Sequence, residues 1–296
     1  FAHADFDLPI ERFLHTDCPH YYRGANPGES EEAFAARLAD NLEQLIVRED
    51  PDTVAAFFAE PVMGAGGVIV PPATYFDRIQ PILRKYEILF VVDEVICGFG
   101  RTGSMFGTNT FNLQPDIMTM AKGLSAGYLP ISATLVSGNL YDILMQQSDK
   151  LSIFGHGYTY SAHPVPAAVA LETLKIYEER DIVAAVRRVG PRMQAGIRSY
   201  ADHPLIGEAR GIGLIGAVEL VRDKATRQSF DAKAAIAAHL VRRAQQLGVI
   251  VRNLPGDIVA FCPPLIISDA EIDEMLGVFG RALDDTWAMV KEKGLV

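Results

Sequence analysis

The stretch "ILFVVDEVICGFGRTG", residues 88–103, decides how the rest of the chain is read. Five apolar residues run directly into Asp93 and Glu94 and then into a glycine-rich turn. An apolar run of this length is a candidate buried strand. A strand buried on both faces has no use for acids at its end, so the pair implies a positive partner. Outward from it, "TVAAFFAEP" (53–61) predicts a strand ending at Glu60-Pro61, and "DIMTMAK" (116–122) and "ISATLVS" (131–137) predict two more. Between them lie helical patterns. Ser30 caps one running to about Val47, with Phe34, Leu38, Leu42 and Leu45 on one face. A second spans Thr74 to about Tyr86 with Phe76, Ile79 and Leu83 aligned, and Pro81 predicts a kink in it. Residues 1–29 show no period and read as a loop. Strands alternating with helices imply a mainly parallel sheet.

After His163-Pro164 the pattern changes. A long helical stretch reaches to about residue 201, with a break expected at Gly190-Pro191. "ARGIGLIGAVELV" reads as two strands around a glycine turn. A helix over 231–247, short strands near 249–252 and 257–261, and a helix from Ser268 follow. The expected organisation is α/β: a large domain over 1–180 and a smaller α+β domain over 181–296. Residues are 49% hydrophobic and 22% charged, the composition of a folded enzyme rather than a disordered chain. A formal net charge of −10 argues against nucleic acid or an anionic membrane surface as partner. No apolar stretch approaches the roughly 20 residues of a membrane helix, and no signal peptide opens the chain. Three scattered cysteines fit a reducing cytoplasm. The start at Phe1, straight into a loop, suggests that an N-terminal portion is missing.

Three functional readings compete for residues 88–103. A Walker-B-like strand would need a GxxxxGK[ST] loop, and none occurs in this sequence. A dinucleotide fingerprint could be drawn at Gly98-Phe-Gly100-Arg-Thr-Gly103 or at Gly211-Ile-Gly213-Leu-Ile-Gly216. The first follows two carboxylates that repel phosphate, and the second runs into a strand rather than a helix. The third reading makes Asp93 the partner of a protonated heterocycle through a charge-assisted hydrogen bond. A protonated pyridine ring draws electrons from an attached amine, which is the chemistry of pyridoxal phosphate. That cofactor also needs a lysine, and Lys122 ends the following strand before a glycine turn. Adjacent parallel strands would bring Asp93 and Lys122 to one carboxyl edge, where ligands of open α/β sheets bind.

"AEPVMGAGGVIVPP", "VVDEVICGFGRTG", "MTMAKGLSAGYLPISA" and "GHGYTYSAHP" together resemble the class III pyridoxal-phosphate aminotransferases, in particular their (S)-selective amine:pyruvate branch, the omega-transaminases. The likeness runs over the whole chain. It implies the fold-type-I architecture, with a mixed seven-stranded sheet in a large domain, a small C-terminal domain, and a homodimer with shared active sites. Carried over by motif, Lys122 is the Schiff-base lysine and later the proton carrier, and Asp93 the pyridinium partner. Val95 packs on the ring, and Thr159 with the backbone of Tyr158 reaches the neighbouring subunit's cofactor phosphate. Arg252 in "GVIVRNLPGD" grips a substrate carboxylate. Glu94, Gly98, Gly100, Arg101 and Gly103 are assigned support, as turns and a buried ion pair.

Two departures from the pattern carry information. Relatives acting on ornithine or 4-aminobutyrate carry a glutamate after "EPxxG" that holds the substrate arginine aside, and here that position is Ala65. Arg252 must then meet a carboxylate or swing away, which favours pyruvate and amino acids alternating with uncharged amines. The family's upstream Gly/Ser phosphate loop and stacking aromatic have no counterpart in these residues. His15, Asp17, Cys18 and His20 share a loop, but their spacing fits no common metal-ligand pattern. His156 and His163 are read as loop hydrogen-bonders. The expected reaction is transfer of an amino group to pyruvate. An omega-amino-acid aminotransferase using 2-oxoglutarate, a decarboxylase or aminomutase on the same fold, and a chain that is catalytically incomplete, are the rivals.

Overall fold

A computed structural model describes residues 5–296, and the loop expected over 1–29 is therefore described only from residue 5. The chain divides into two compact units, one running to Ala55 and resuming over Pro71–Ile88, the other comprising Ala56–Val70 and Leu89–Val296. This division does not fall at the expected residue 180. Among the described residues no helix is long and apolar enough to cross a membrane.

In the first unit, α1 (Glu31–Arg48) begins where Ser30 accepts the Ala33 N–H at 3.2 Å, with Glu31 and Glu32 in the first turn, where the helix dipole favours them. Phe34, Leu38, Leu42 and Ile46 are buried; the face advances by four residues each time, so Ile46 takes the place expected of Leu45. It packs against α2 (Tyr75–Lys85), which buries Phe76, Ile79 and Leu83 and continues through Pro81. Lys85–Glu43 (2.6 Å) and Arg78–Glu32 (3.1 Å) tie the two helices at their rims, exposed pairs worth a few tenths to about 1 kcal/mol each. In the 15–20 loop, Asp17 accepts from Asn41 at 2.6 Å.

The second unit holds two sheets. The first has the order β1 (Ala56–Ala59), β2 (Leu89–Asp93), β3 (Ile117–Met120), β4 (Ala133–Val136). β1, β2 and β3 run parallel, with Ala59 opposite Val92 and Asp93 opposite Thr119, and β4 is antiparallel to β3. The sheet is mixed, with four strands among the described residues where the resemblance implies seven. After α3 (Gly138–Leu151) and α4 (Pro164–Glu179) the chain breaks at Arg180–Asp181, not at Gly190-Pro191. Asp181, at φ +45°, opens α5 (Ile182–Arg198) by accepting the Ala184 N–H at 3.3 Å. The glycine that suggested a break serves packing instead: a Cβ on Gly190 would stand 3.2 Å from the Gly213 carbonyl oxygen.

The second sheet is antiparallel throughout, in the order β5 (Ile206–Ile212), β6 (Ile215–Leu220), β8 (Ile258–Phe261), β7 (Arg252–Leu254). Gly211-Ile-Gly213-Leu-Ile-Gly216 is the β5–β6 hairpin, so no helix follows it to receive an anion. Every residue of β6 is buried. α6 (Ile236–Gln246) and α7 (Asp269–Glu292) share a core with it in which Phe261 and Phe279 meet edge to face at 4.8 Å between centroids. Each such fully buried ring contributes roughly 1.5–3 kcal/mol of hydrophobic stabilisation. α7 starts at Ser268, whose hydroxyl accepts the Glu271 N–H while Glu271 reaches back to the Ser268 N–H at 2.8 Å.

Candidate active site

The parallel register sets the first contacts. With Ala59 level with Val92, Glu60 stands level with Asp93 at the carboxyl ends of β1 and β2, and Lys122 lies just past the end of β3. Alternation along the strand sends Asp93 and Glu94 to opposite sides. Asp93 is half-buried and its Oδ1 accepts the Val95 N–H at 2.9 Å, which fixes the carboxylate's orientation. Glu94 points inward, wholly buried, and accepts the N–H groups of Gly107 (2.9 Å) and Thr108 (2.6 Å) at the start of a one-turn helix. Burial pushes its carboxyl above the ordinary range, and those amides oppose the rise. Glu94 thus supports the turn, as expected. The ion pair expected near Arg101 is found elsewhere: Arg101 Nη1 donates to the carbonyls of Leu214 (3.0 Å) and Pro263 (2.6 Å), which ties the glycine turn to the second sheet. The buried pair joins Arg210 and Glu219 at 2.9 Å.

Lys122 opens a short 3-10 turn, Lys122–Ser125, with φ +40°, a left-handed conformation that costs a residue with a Cβ on the order of 1 kcal/mol or more. The turn is held from two sides, by Tyr177 Oη donating to the Gly123 carbonyl at 2.7 Å and by Ser125 Oγ donating to the Leu129 carbonyl at 2.6 Å. A cavity of about 1240 Å³ opens in front of it, and Lys122, Val95, Ala65 and Arg252 all line it. With Gly98 and Arg101, which also line it, six of the residues singled out in the sequence share one wall system. Arg252 begins β7, opposite Ala260 of β8, and is exposed. Tyr158 and Thr159 are not brought to this cavity. They lie on the exposed segment between α3 and α4, where the Tyr158 N–H donates to Ser161 Oγ at 3.1 Å. His163 on the same segment caps α4, its Nδ1 accepting the Val165 N–H at 3.2 Å.

Glu60 is the group the sequence reading passed over. It is half-buried, and its Oε2 accepts the Gly64 N–H at 3.0 Å. Burial raises its carboxyl pKa above the ordinary 4.5, and the charge of Asp93 adds to the rise, while the Gly64 N–H and Lys122 counteract it. The signal was present: "AFFAEP" ends an apolar strand in an acid just as "FVVDE" does. A carboxyl raised on folding weakens the folded state as pH rises from the unfolded value through the folded one. Glu60→Gln keeps an acceptor for Gly64 and removes the charge. In the cofactor-free protein it is expected to raise Tm at pH 8 relative to the parent, with the gain vanishing below about pH 4.5. Thermal melts across pH check this, and a gain independent of pH would contradict it.

The donor set fits one kind of group. A primary amine and an apolar side chain on one cavity, with a fixed carboxylate at the end of the neighbouring strand, suit a flat, basic, aldehyde-bearing heterocycle. The family model described as Aminotransferase class-III matches residues 7–283. The chain belongs to the class-III aminotransferase family. Pyridoxal phosphate is that family's cofactor, and the fold is its fold-type-I arrangement. Among curated relatives, "Gamma aminobutyrate transaminase 3, chloroplastic" of Solanum lycopersicum is 53% identical over 290 residues, 98% of this chain and 56% of that protein. The chain thus spans a little over half the length of that relative. A transaminase solved with L-ala is 53% identical, with TM-score 0.95 over 97% of this chain and 68% of that one. The omega transaminase from Pseudomonas jessenii, in complex with PMP, is 52% identical with TM-score 0.94 over 97% of this chain and 63% of that one. Lys122 and Val95 on the cavity, with Asp93 at the end of the adjacent strand, are groups of the kind that could hold such a cofactor.

Proposed function

We propose that this chain carries the catalytic core of a transaminase that moves an amino group from a primary amine or omega-amino acid to pyruvate. The observation that carries the reading is the placement of Asp93 and Lys122 at the ends of adjacent parallel strands, with Arg252 and Ala65 on the cavity that Lys122 lines. When bound, pyridoxal phosphate supplies an aldehyde that captures amines covalently and a ring that takes up the electrons released at carbon. Lys122 would offer the amine for attachment and, as a free amine, would serve as the group that carries a proton to and from the substrate carbon. Asp93, its orientation set by the Val95 N–H, keeps the ring nitrogen protonated. Val95 holds the ring against slipping. The same residues would serve the return half-reaction, in which pyruvate would be the amino acceptor and alanine the product.

Arg252 is assigned to the substrate carboxylate. Ala65 brings no charge to the cavity, so the guanidinium meets no acid at that position. Arg252→Ala is expected to raise the pyruvate KM about ten- to a hundredfold, the worth of a charged hydrogen-bonded pair, while the KM of an uncharged donor such as 1-phenylethylamine changes little. Separate half-reaction kinetics check this, and equal damage to both halves would count against a carboxylate-specific role. The names of the relatives favour γ-aminobutyrate as a second donor, whose carboxylate would use the same arginine. Acceptor dependence separates this reading from a decarboxylase or aminomutase, which consume no keto acid. Thr159 and the Tyr158 backbone, exposed on their segment, are assigned to the phosphate of a partner subunit's cofactor in a homodimer. Three free thiols suit a reducing compartment such as the cytoplasm.

A further inference from the structure

The turn that carries Ala65 is built under strain and clamped from the second sheet. Met63 and Ile69 exchange both backbone hydrogen bonds, at 3.1 and 3.0 Å, and between them the chain reverses through Gly64–Val68. Val68 is a buried, β-branched residue at φ +54°, a conformation that such a side chain adopts only when its surroundings impose it. Gly67 stands at φ +128°, and a Cβ there would meet Ile258 Cδ1 at 2.8 Å and Arg210 Nη2 at 3.2 Å. What imposes the turn is visible. Arg210, on β5 and only 7% exposed, donates from Nε (3.0 Å) and Nη2 (2.8 Å) to the Gly67 carbonyl. Its Nη1 is held by Glu219 at 2.9 Å and by Glu208. A guanidinium oriented by two carboxylates can hold one carbonyl oxygen through two converging bonds from a rigid fork, which a lysine ammonium on its flexible stem does not reproduce.

Gly64, Ala65 and Val68 line the same cavity as Lys122 and Arg252. We infer that the 64–68 turn is a selectivity wall of the substrate site and that Arg210, which touches no substrate, is the positioning residue that sets it. The inference rests on the reading of this cavity as the amine site. A wall fixed against strain discriminates by shape, because a donor that does not fit must pay for moving it; released from the clamp, the turn relaxes and the discrimination falls.

The test uses Arg210→Lys in the cofactor-loaded enzyme, with hydrogen exchange of the 62–70 segment measured alongside kcat/KM for alanine and 1-phenylethylamine. The lysine keeps the charge facing Glu219 but loses the paired grip on Gly67. Exchange in 62–70 should rise about tenfold relative to the rest of the chain, and the preference between the two donors should shrink by about tenfold toward unity. Gly67→Ala, which displaces the same turn by driving a methyl against Ile258 and Arg210 Nη2 while keeping the guanidinium, should do likewise and carries the test if Arg210→Lys does not fold. Unchanged exchange, or faster exchange with an unchanged donor preference, would overturn the inference. A parent enzyme that transaminates neither donor would instead overturn the amine-site reading, while the exchange result would still report whether Arg210 holds the turn.

Discussion

Lys122→Ala is expected to remove covalent capture of the cofactor and to lower turnover by at least about 10²–10⁴-fold, the usual contribution of a positioned acid–base group. The loss has two parts that can be measured separately. One is attachment, read as the cofactor's release on gel filtration in the absence of amine. The other is proton transfer, read as the rate at which a bound amine donor exchanges its carbon-bound hydrogen with solvent. The fold should survive, because Lys122 is exposed and the turn it opens is secured by Tyr177 and Ser125 rather than by the lysine itself. A variant that keeps solvent exchange at the parent rate would contradict the assignment.

Asp93→Asn is the second large expected effect. The amide can still accept the Val95 N–H, so the strand end keeps its geometry. It cannot hold a proton on a ring nitrogen by charge, and turnover should fall about 10²–10³-fold with donor binding changed far less. The readout that separates charge from packing is Asp93→Glu, which restores the charge at a shifted position and should recover part of the rate. Equal loss in Asn and Glu variants would point to geometry alone.

The strand-end positions of Asp93 and Lys122 were legible in the sequence because they rest on local pattern. An apolar run stopping at an acid marks a strand end, and two such ends in parallel register fall at one edge; Asp93 and Lys122 needed nothing more. Glu60 was legible by the same rule, but Pro61 drew the reading toward a simple strand terminus. The helix break was misplaced because Gly190 and Pro191 are breakers by propensity, whereas the close approach of Gly190 to Gly213 is a tertiary demand that propensity does not see. The exchange of Leu45 for Ile46 is a drift of one residue on a helix face. Arg210 could not have been found: its partners are Gly67, Glu208 and Glu219, and the bond to Gly67 spans 143 positions of sequence. The role of Glu94 was half legible, since an acid beside a glycine turn suggests support, yet its partners are backbone amides rather than Arg101.

Lys122, at the strand end next to that of Asp93, is the proposed point of attachment for the cofactor. The most direct measurement is borohydride reduction of the pyridoxal-phosphate-loaded protein, followed by proteolysis and mass spectrometry of the pyridoxyl-bearing peptide. The account predicts a single label, on Lys122 within "TMAKG"; a label on any other lysine, or none in a protein that transaminates, would contradict it.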